Sequence, residues 1–271
     1  QEGISQLTGC SDSPRLDAEV LLRAACGINR TALARDPDQS IDAQSADAFF
    51  SFLKRRCRAE PIAYILGRKE FWSLEIELND ATLVPRPETE VLVETTLDAI
   101  PPDTAVDIAD LGTGSGAIAL ALAIERPLAH ITATDISGAA LSKARENAKR
   151  LGLDIQFAEG DWFAPLKGRR FDAIVSNPPY VRWNDPALET TPARFEPATA
   201  LFAGEDGLDC IRALCANLKH HVKAGGLVAL EHGHDQQDAV HALLSAAGLE
   251  SIVRVNDQAG LARVTSARMS Y

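Results

Sequence analysis

Nowhere in these 271 residues does an apolar run approach the length needed to cross a bilayer, roughly 18 to 20 residues. The first residues, QEGISQLTGCSDSP, also lack the charged start and apolar core of a secretory signal. A cytoplasmic chain is expected, and because it opens on Gln1 rather than methionine, a few preceding residues are expected to be missing. No Cys-x-x-Cys pair occurs. The five cysteines (Cys10, Cys26, Cys57, Cys210, Cys215) are odd in number and scattered, which argues against a disulfide frame or a zinc site and fits reduced, buried thiols. An excess of positive charge is lacking too: 27 Lys and Arg face 38 Asp and Glu, for a net charge of −11. Gripping nucleic-acid phosphates needs dense Lys and Arg, so DNA is not the expected partner; no membrane partner is expected either, and a monomer is expected. Internal repeats, low-complexity tracts and long linkers are likewise missing. His220, His221, His232, His234 and His241 gather in one half of the chain, but no cysteine or carboxylate completes a recognised ligand spacing, so no metal is expected.

What is present is enough apolar residue, 46% of the chain, to bury a substantial core in one large domain and one smaller. Residues 1–62 read as helical. Ser13 before Pro14 makes a good N-cap and first helical position, RLDAEVLLRAAC follows, and Gly27 is placed to stop the helix. A second helix begins at an Asp42 cap, with Ala46, Phe49, Phe50, Leu53 and Cys57 on one stripe. Lys54, Arg55, Arg56 and Arg58 near its end have two readings: a solvated face whose cations suit a helix C-terminus, or a docking patch for an acidic or nucleic-acid partner. FWSLEIEL then alternates Trp72, Leu74, Ile76 and Leu78 against polar neighbours, the pattern of a half-buried strand and one arm of a hairpin, taken to cover 63–84.

From about residue 104 the pattern becomes apolar strands separated by helical stretches: AVDIADL, HITATDI, IQFAEGD, FDAIVSN, GGLVALEHG, SIVRVN and ARVTSARM. The first four alternate with helices such as the one capped by Ser137 and stopped by Gly152, so they are expected to be parallel; the last two are close enough for an antiparallel edge. The fold class expected for 85–271 is therefore α/β, a Rossmann-like seven-stranded sheet, with a small helical domain before it.

DLGTGSGAIALALA follows the first of these strands and opens a helix, where glycines let a backbone approach a ligand closely. Gly112, Gly114 and Ala117 satisfy the dinucleotide fingerprint, and Asp135 ends the second strand where an acid would hold ribose hydroxyls, so NAD is a fair competitor. Three features favour S-adenosylmethionine: Asp110 just before the loop, the third glycine Gly116, and the acidic loop GDWF after the third strand. A sulfonium cofactor has no pyrophosphate but has a cationic methionine tail, a ribose and an adenine, which suit carboxylates and an aromatic wall.

With DLGTGSG, ATD, GDWF and NPPY in this order, the chain resembles the class I S-adenosylmethionine-dependent methyltransferases. PIAYILGRKEFWSL, LVPRPETEVLVE, RFEPATALFAGEDGLD and LVALEHG narrow the resemblance to the HemK-like peptide chain release factor glutamine methyltransferases. These methylate the side-chain amide nitrogen (N5) of the glutamine in the Gly-Gly-Gln loop of release factors. The resemblance covers nearly the whole chain. It implies that Gly112, Thr113, Gly114, Ser115 and Gly116 line the methionine and ribose part of the cofactor with Asp110 beside them, that Asp135 holds its ribose, that Trp162 packs near adenine, and that Asp161 accepts from the adenine amino group. The substrate glutamine would enter between Asn177, Pro178, Pro179 and Tyr180, beneath PRPETE with Arg86 and Glu88; those two could equally pair to shape their own loop.

VSNPPY makes chemical sense on that reading. Two prolines remove two backbone donors and fix two φ angles, so Asn177 to Tyr180 form a stiff loop rich in acceptors. A carboxamide nitrogen is a poor nucleophile because its lone pair is delocalised, so its methylation needs placement more than a strong base. If the Asn177 side-chain oxygen and the Pro178 carbonyl each accept one N–H of the target, its lone pair is left to face the methyl donor, while Tyr180 stacks on the flat amide and excludes water. The same grip would serve an adenine amino group, so a DNA adenine N6-methyltransferase is the runner-up, disfavoured by charge, and a non-catalytic cofactor-binding module is the third reading.

Overall fold

A computed structural model describes residues 1–36, 38–183, 185 and 192–271. They divide into two compact units, the first comprising Gln1–Arg68 with the described residues of 187–195, the second the remaining described residues.

The first unit is helical: α1 (Glu2–Leu7), α2 (Pro14–Cys26), α3 (Arg30–Arg35), α4 (Ala43–Arg56) and α5 (Ile62–Leu66). Pro14 stands at the first position of α2 and Gly27 ends it at φ 64°, while Asp42 caps α4 by accepting from the Ser45 N–H at 2.9 Å. Ser13 precedes α2 without capping it; its hydroxyl instead donates to the Asp17 carboxylate. Leu7, Leu21, Phe49, Leu53 and Ile65 close a separate core. The basic cluster is neither simply solvated nor a free patch. Arg56 pairs with Asp17 at 2.7 Å, and Arg55 is held by Glu60 and by the Tyr64 and Ile65 carbonyls, which leaves Lys54 and Arg58 as its exposed cations. Burial, the largest single influence, would raise the Asp17 carboxyl, but the Ser11 hydroxyl, the paired Arg56 and the Ser13 hydroxyl together outweigh it and bring the carboxyl below its ordinary value.

FWSLEIEL is not one strand. β1 (Arg68–Phe71) and β2 (Leu74–Glu77) form a two-stranded sheet, and Trp72 and Ser73 make its turn at φ 52° and 58°. Positive φ at both central residues is what a two-residue hairpin turn requires; the alternation through Trp72 hid the break because one side of the turn happens to be aromatic.

The second unit then runs α6 (Glu90–Ala99), β3 (Asp107–Leu111), α7 (Ala117–Glu125), β4 (His130–Asp135), α8 (Gly138–Leu151), β5 (Gln156–Glu159), β6 (Phe171–Ser176), α9 (Asp209–Cys215), α10 (Leu218–His221), β7 (Val222–Glu231), α11 (Gln237–Ala246), β8 (Leu249–Asn256) and β9 (Ala262–Met269). The seven strands from β3 onward are ordered β5-β4-β3-β6-β7-β9-β8. Pairings from β5 through β7 are parallel, and β9 is antiparallel to both β7 and β8, lying between them. The expected α/β class and antiparallel edge are present; the insertion of the last strand inside that edge had no signal in the sequence. Because strand order reverses direction at β3 and β6, the crevice at their carboxyl ends is where such a sheet binds ligands. Both key loops leave the sheet there, and the Ser176 hydroxyl donates to the Leu111 carbonyl at 2.6 Å to join the two strand ends.

Candidate active site

The glycine loop is shaped by its own backbone. Gly112 N–H and Thr113 N–H both donate to the Thr134 carbonyl, at 2.8 and 2.9 Å, and Gly114 N–H donates to Asp135 Oδ2 at 2.8 Å. Gly112 is at φ 74°, and a Cβ there would meet the Trp162 ring at 3.1 Å, so the missing side chain is what lets the indole lie against the loop. Asn147 of α8, fully buried, donates to the Ser115 carbonyl and exchanges hydrogen bonds with Glu77 of β2, tying the hairpin to the loop.

These residues wall a cavity of about 370 Å³, within the ordinary range for small-molecule sites. Gly112, Thr113, Gly114 and Ser115 line it together with Asp135, Asp161 and Trp162; Asn177 and Pro179 of the proline loop lie on the same wall. Sequence reasoning had not assigned Thr89, Ile136, Thr199, Phe202 or Cys210, which also line it. Thr199 and Phe202 lie within RFEPATALFAGEDGLD, where a signal existed without a role attached. No lysine, arginine or histidine lines the cavity among the described residues. With Asp135, Asp161 and the Trp162 ring on the wall and no cationic side chain among the described residues, the set suits an adenosine and a cationic methionine tail, the parts of S-adenosylmethionine. Asp135 takes the Gly114 and Ser137 N–H groups, and a carboxylate's remaining lone pairs leave it able to accept ribose hydroxyls. Burial raises its pKa against those backbone donors.

Asp110 is brought near but not onto the wall. It is fully buried beneath the loop, where Oδ2 accepts from the Thr113 hydroxyl at 2.6 Å and Oδ1 has no partner. Burial pushes it up to about 7, against the Thr113 hydrogen bond. Gly116 also stands off the cavity, as the N-cap of α7.

In the proline loop, Asn177 Nδ2 donates to Thr89 Oγ1 at 3.2 Å. Pro178 is buried, and neither it nor Tyr180 lines the cavity. The Tyr180 hydroxyl donates to Glu231 Oε1 at 3.0 Å, and burial, with the Glu231 charge second, raises the phenol's pKa. Arg86 does not pair with Glu88. Its partner is Glu196 of RFEP, whose carboxylate is buried and accepts at 2.5 Å, so PRPETE is fastened to a segment 110 residues away. Neither Arg86 nor Glu88 lines the cavity. His232 is a core residue: one ring nitrogen meets the Gly233 carbonyl and the other the Thr265 hydroxyl, each at 2.8 Å.

Comparison with known proteins shows the family and the fold. Residues 1–67 match the family model "PrmC N-terminal domain" and residues 87–204 the model "Methyltransferase small domain". The chain is 46% identical to a release factor glutamine methyltransferase of Xylella fastidiosa, over 94% of this chain and 93% of that one. It is 45% identical to the protein of the same name from Coxiella burnetii, over 97% and 95%. Among solved structures, a methyltransferase of Pyrococcus furiosus superposes with a TM-score of 0.57 at 19% identity, covering 78% of this chain and 93% of that one. The 16S rRNA N2 G1207 methyltransferase of Thermus thermophilus, in complex with AdoMet and guanosine, does so at 0.54 and 19%, covering 74% and 49%. These two show the shared fold.

Proposed function

We infer the mechanism from one premise: this chain belongs to the release factor glutamine methyltransferases. It transfers a methyl group from S-adenosylmethionine to the glutamine of a peptide chain release factor. The finer assignment we propose is that the target atom is the side-chain amide nitrogen, N5, of the Gly-Gly-Gln glutamine, and that a cytoplasmic monomer does this without DNA or a membrane. Release factor is the protein substrate.

The observation that carries the reading is the orientation of Asn177. Its Nδ2 donates to Thr89 at 3.2 Å and the residue stands on the cavity wall, so the arm of the planar amide that Thr89 does not use, Oδ1, is the one we assign as acceptor. The cofactor supplies an electrophilic methyl group on a sulfonium sulfur. Asn177 Oδ1 and the Pro178 carbonyl each accept one N–H of the glutamine NH₂, which orients the nitrogen lone pair and stabilises the positive charge that grows there. Pro178 and Pro179 hold the backbone stiff and add no competing donor. Once the methyl–sulfur bond has broken and the N–CH₃ bond has formed, the nitrogen carries both its hydrogens and a positive charge, and that cationic amide is acidic enough to lose one proton to water, so no side chain is needed as base. Gly112–Ser115, Asp135, Asp161 and Trp162 bind the cofactor. Arg86, paired to Glu196, and Glu88 shape the mouth through which glutamine enters. Tyr180 backs the loop from behind the cavity wall, with its hydroxyl held by Glu231.

The helical unit docks the release factor, because a glutamine side chain alone offers too little surface beside the roughly 1,600 Å² of a standard protein interface. Reversing its exposed cations, Lys54→Glu with Arg58→Glu, is expected to raise KM for intact release factor several-fold with kcat unchanged; an unchanged KM removes these cations from the docking surface. The activity itself is tested by incubating the protein with labelled S-adenosylmethionine and either release factor or DNA, and locating the label by mass spectrometry. Label on glutamine N5 is expected; label on adenine N6, or on nothing, overturns the reading.

A further inference from the structure

The proline loop is stiff within itself, but two prolines do not say where the loop points. Its two functional ends are fixed from below by the last residue of β7. Glu231 is 1% exposed, and its Oε1 accepts the Tyr180 hydroxyl at 3.0 Å, a good O–H···O bond. At the other end, Asn177 Nδ2 donates to Thr89 Oγ1. Having accepted there, the Thr89 hydroxyl still has its own hydrogen to give, and that hydroxyl is among the influences that hold the Glu231 carboxyl down against its burial. Glu231 Oε2 is buried without a hydrogen-bond partner, so Thr89 is the neighbour placed to supply one. Gln236, five residues on, holds the Tyr180 backbone: its Nε2 donates to the Tyr180 carbonyl at 3.0 Å while its Oε1 accepts from Gly233 N–H at 2.9 Å. Both ends of the loop therefore converge on the segment that leaves β7.

We propose that Glu231 is a positioning residue for methyl transfer: one buried carboxyl that locks Tyr180 directly and Asn177 through Thr89, so that the two ends of the glutamine grip keep a single geometry. A carboxylate is the group for this position because it offers two acceptor oxygens with no donor of its own, one for each hydroxyl. An amide would present one acceptor and one donor and mismatch one arm. The charged groups around it are Arg263 of β9 and Glu88; burial, the largest influence, pushes the carboxyl up to about 7 against the two hydroxyls and Arg263.

The proposal rests on residues 177–180 being the glutamine grip, and its test fails differently from that reading, which an active Asn177→Ala would sink. Four full-length variants are compared with the parent at saturating S-adenosylmethionine: Glu231→Gln, Tyr180→Phe, Thr89→Val and the double variant Glu231→Gln/Tyr180→Phe. All are close in size to the originals, and melting curves exclude misfolded protein. Glu231→Gln is expected to lower kcat by about 5- to 20-fold while KM for release factor and Kd for the cofactor stay within about twofold. Each hydroxyl deletion is expected to lower kcat as well. Added to Tyr180→Phe, the Glu231→Gln change should cost clearly less than it does alone, because one of its two routes is already cut. Glu231→Gln at the parent's rate, a loss that appears in KM or cofactor Kd instead of kcat, or fully additive effects in the double variant each overturn the proposal.

Discussion

The two loops at the carboxyl ends of β3 and β6 are built from opposite residues and rest on similar foundations. The glycine loop gains its shape by omission at its glycines: the Gly112, Thr113 and Gly114 amides turn inward to Thr134 and Asp135, and the Trp162 ring lies against Gly112 where a side chain would stand. The proline loop gains its shape by constraint, since Pro178 and Pro179 leave carbonyls and no N–H groups. Beneath each is a buried carboxyl pushed up to about 7, Asp110 under the first and Glu231 under the second. Asp110 holds a hydroxyl three residues away in sequence; Glu231 holds one 51 residues away. A loop that makes room can be fastened locally. One that must aim an acceptor is fastened from another strand.

The proline loop is where a small change should do most. Asn177→Ala is expected to fold normally and lose methyl transfer by roughly 10²- to 10³-fold in kcat, as when one positioned polar group is removed from other active sites. Asn177→Asp keeps an acceptor oxygen near the same place and loses the donor to Thr89, so it should retain more activity than alanine at equal cofactor occupancy. Steady-state rates for both variants, with cofactor affinity measured alongside, decide it: an alanine variant within a few-fold of the parent removes the acceptor role from Asn177.

In the glycine loop the corresponding change should act on affinity instead. Asp135→Ala removes the carboxylate that orients Gly114 N–H and lines the cavity. Calorimetry is expected to show S-adenosylmethionine bound more weakly by about 1.5 to 3 kcal/mol, with the methylated atom unchanged. If affinity is unmoved and only kcat falls, the division of labour between the loops is wrong.

How much of this was legible follows the same division. The glycine spacing, Asp135 after its strand and the prolines are local patterns, and each of Asp135, Trp162, Asn177 and Pro179 stands on the cavity wall. Asp110 was legible as a neighbour of the loop, but that one strand residue faces the core instead of the cavity needed the sheet's pleat. Arg86 and Glu88 are two residues apart and invited pairing; the partner, Glu196, is 110 residues on and reaches Arg86 only through the tertiary fold. Glu231 and Thr89 meet for the same reason. The reading of FWSLEIEL as one strand failed because period-two alternation runs unbroken through a two-residue turn.

The two buried carboxyls make a joint prediction about pH. A carboxyl that titrates near 7 when folded and near 4 when unfolded keeps its proton longer in the folded chain, so stability is greatest below the unfolded value and falls as pH rises toward 7. Asp110 should contribute a loss on the order of 2 kcal/mol between pH 5 and pH 8. Denaturant unfolding of Asp110→Asn at both values should show a smaller decline than the parent's. An equal decline would mean that Asp110 titrates with an ordinary carboxylate value.

The smallest expected effect asks whether the glycine loop really works by omission. Gly112→Ala adds one methyl group at φ 74°, a conformation that costs an alanine about 1 kcal/mol or slightly more. That methyl also starts 3.1 Å from the Trp162 ring, closer than carbon atoms pack without adjustment. The ring is half-buried and can yield, so folding should survive with a loss of about 1 kcal/mol. The displaced indole should then shift the tryptophan fluorescence and weaken cofactor binding a few-fold, because the indole forms part of the cavity wall. Methyl transfer at saturating cofactor should stay near the parent's rate, since nothing in the proline loop has been touched. A variant whose kcat falls while its cofactor affinity holds would show that the glycine loop helps aim the reaction as well as make room for its cofactor.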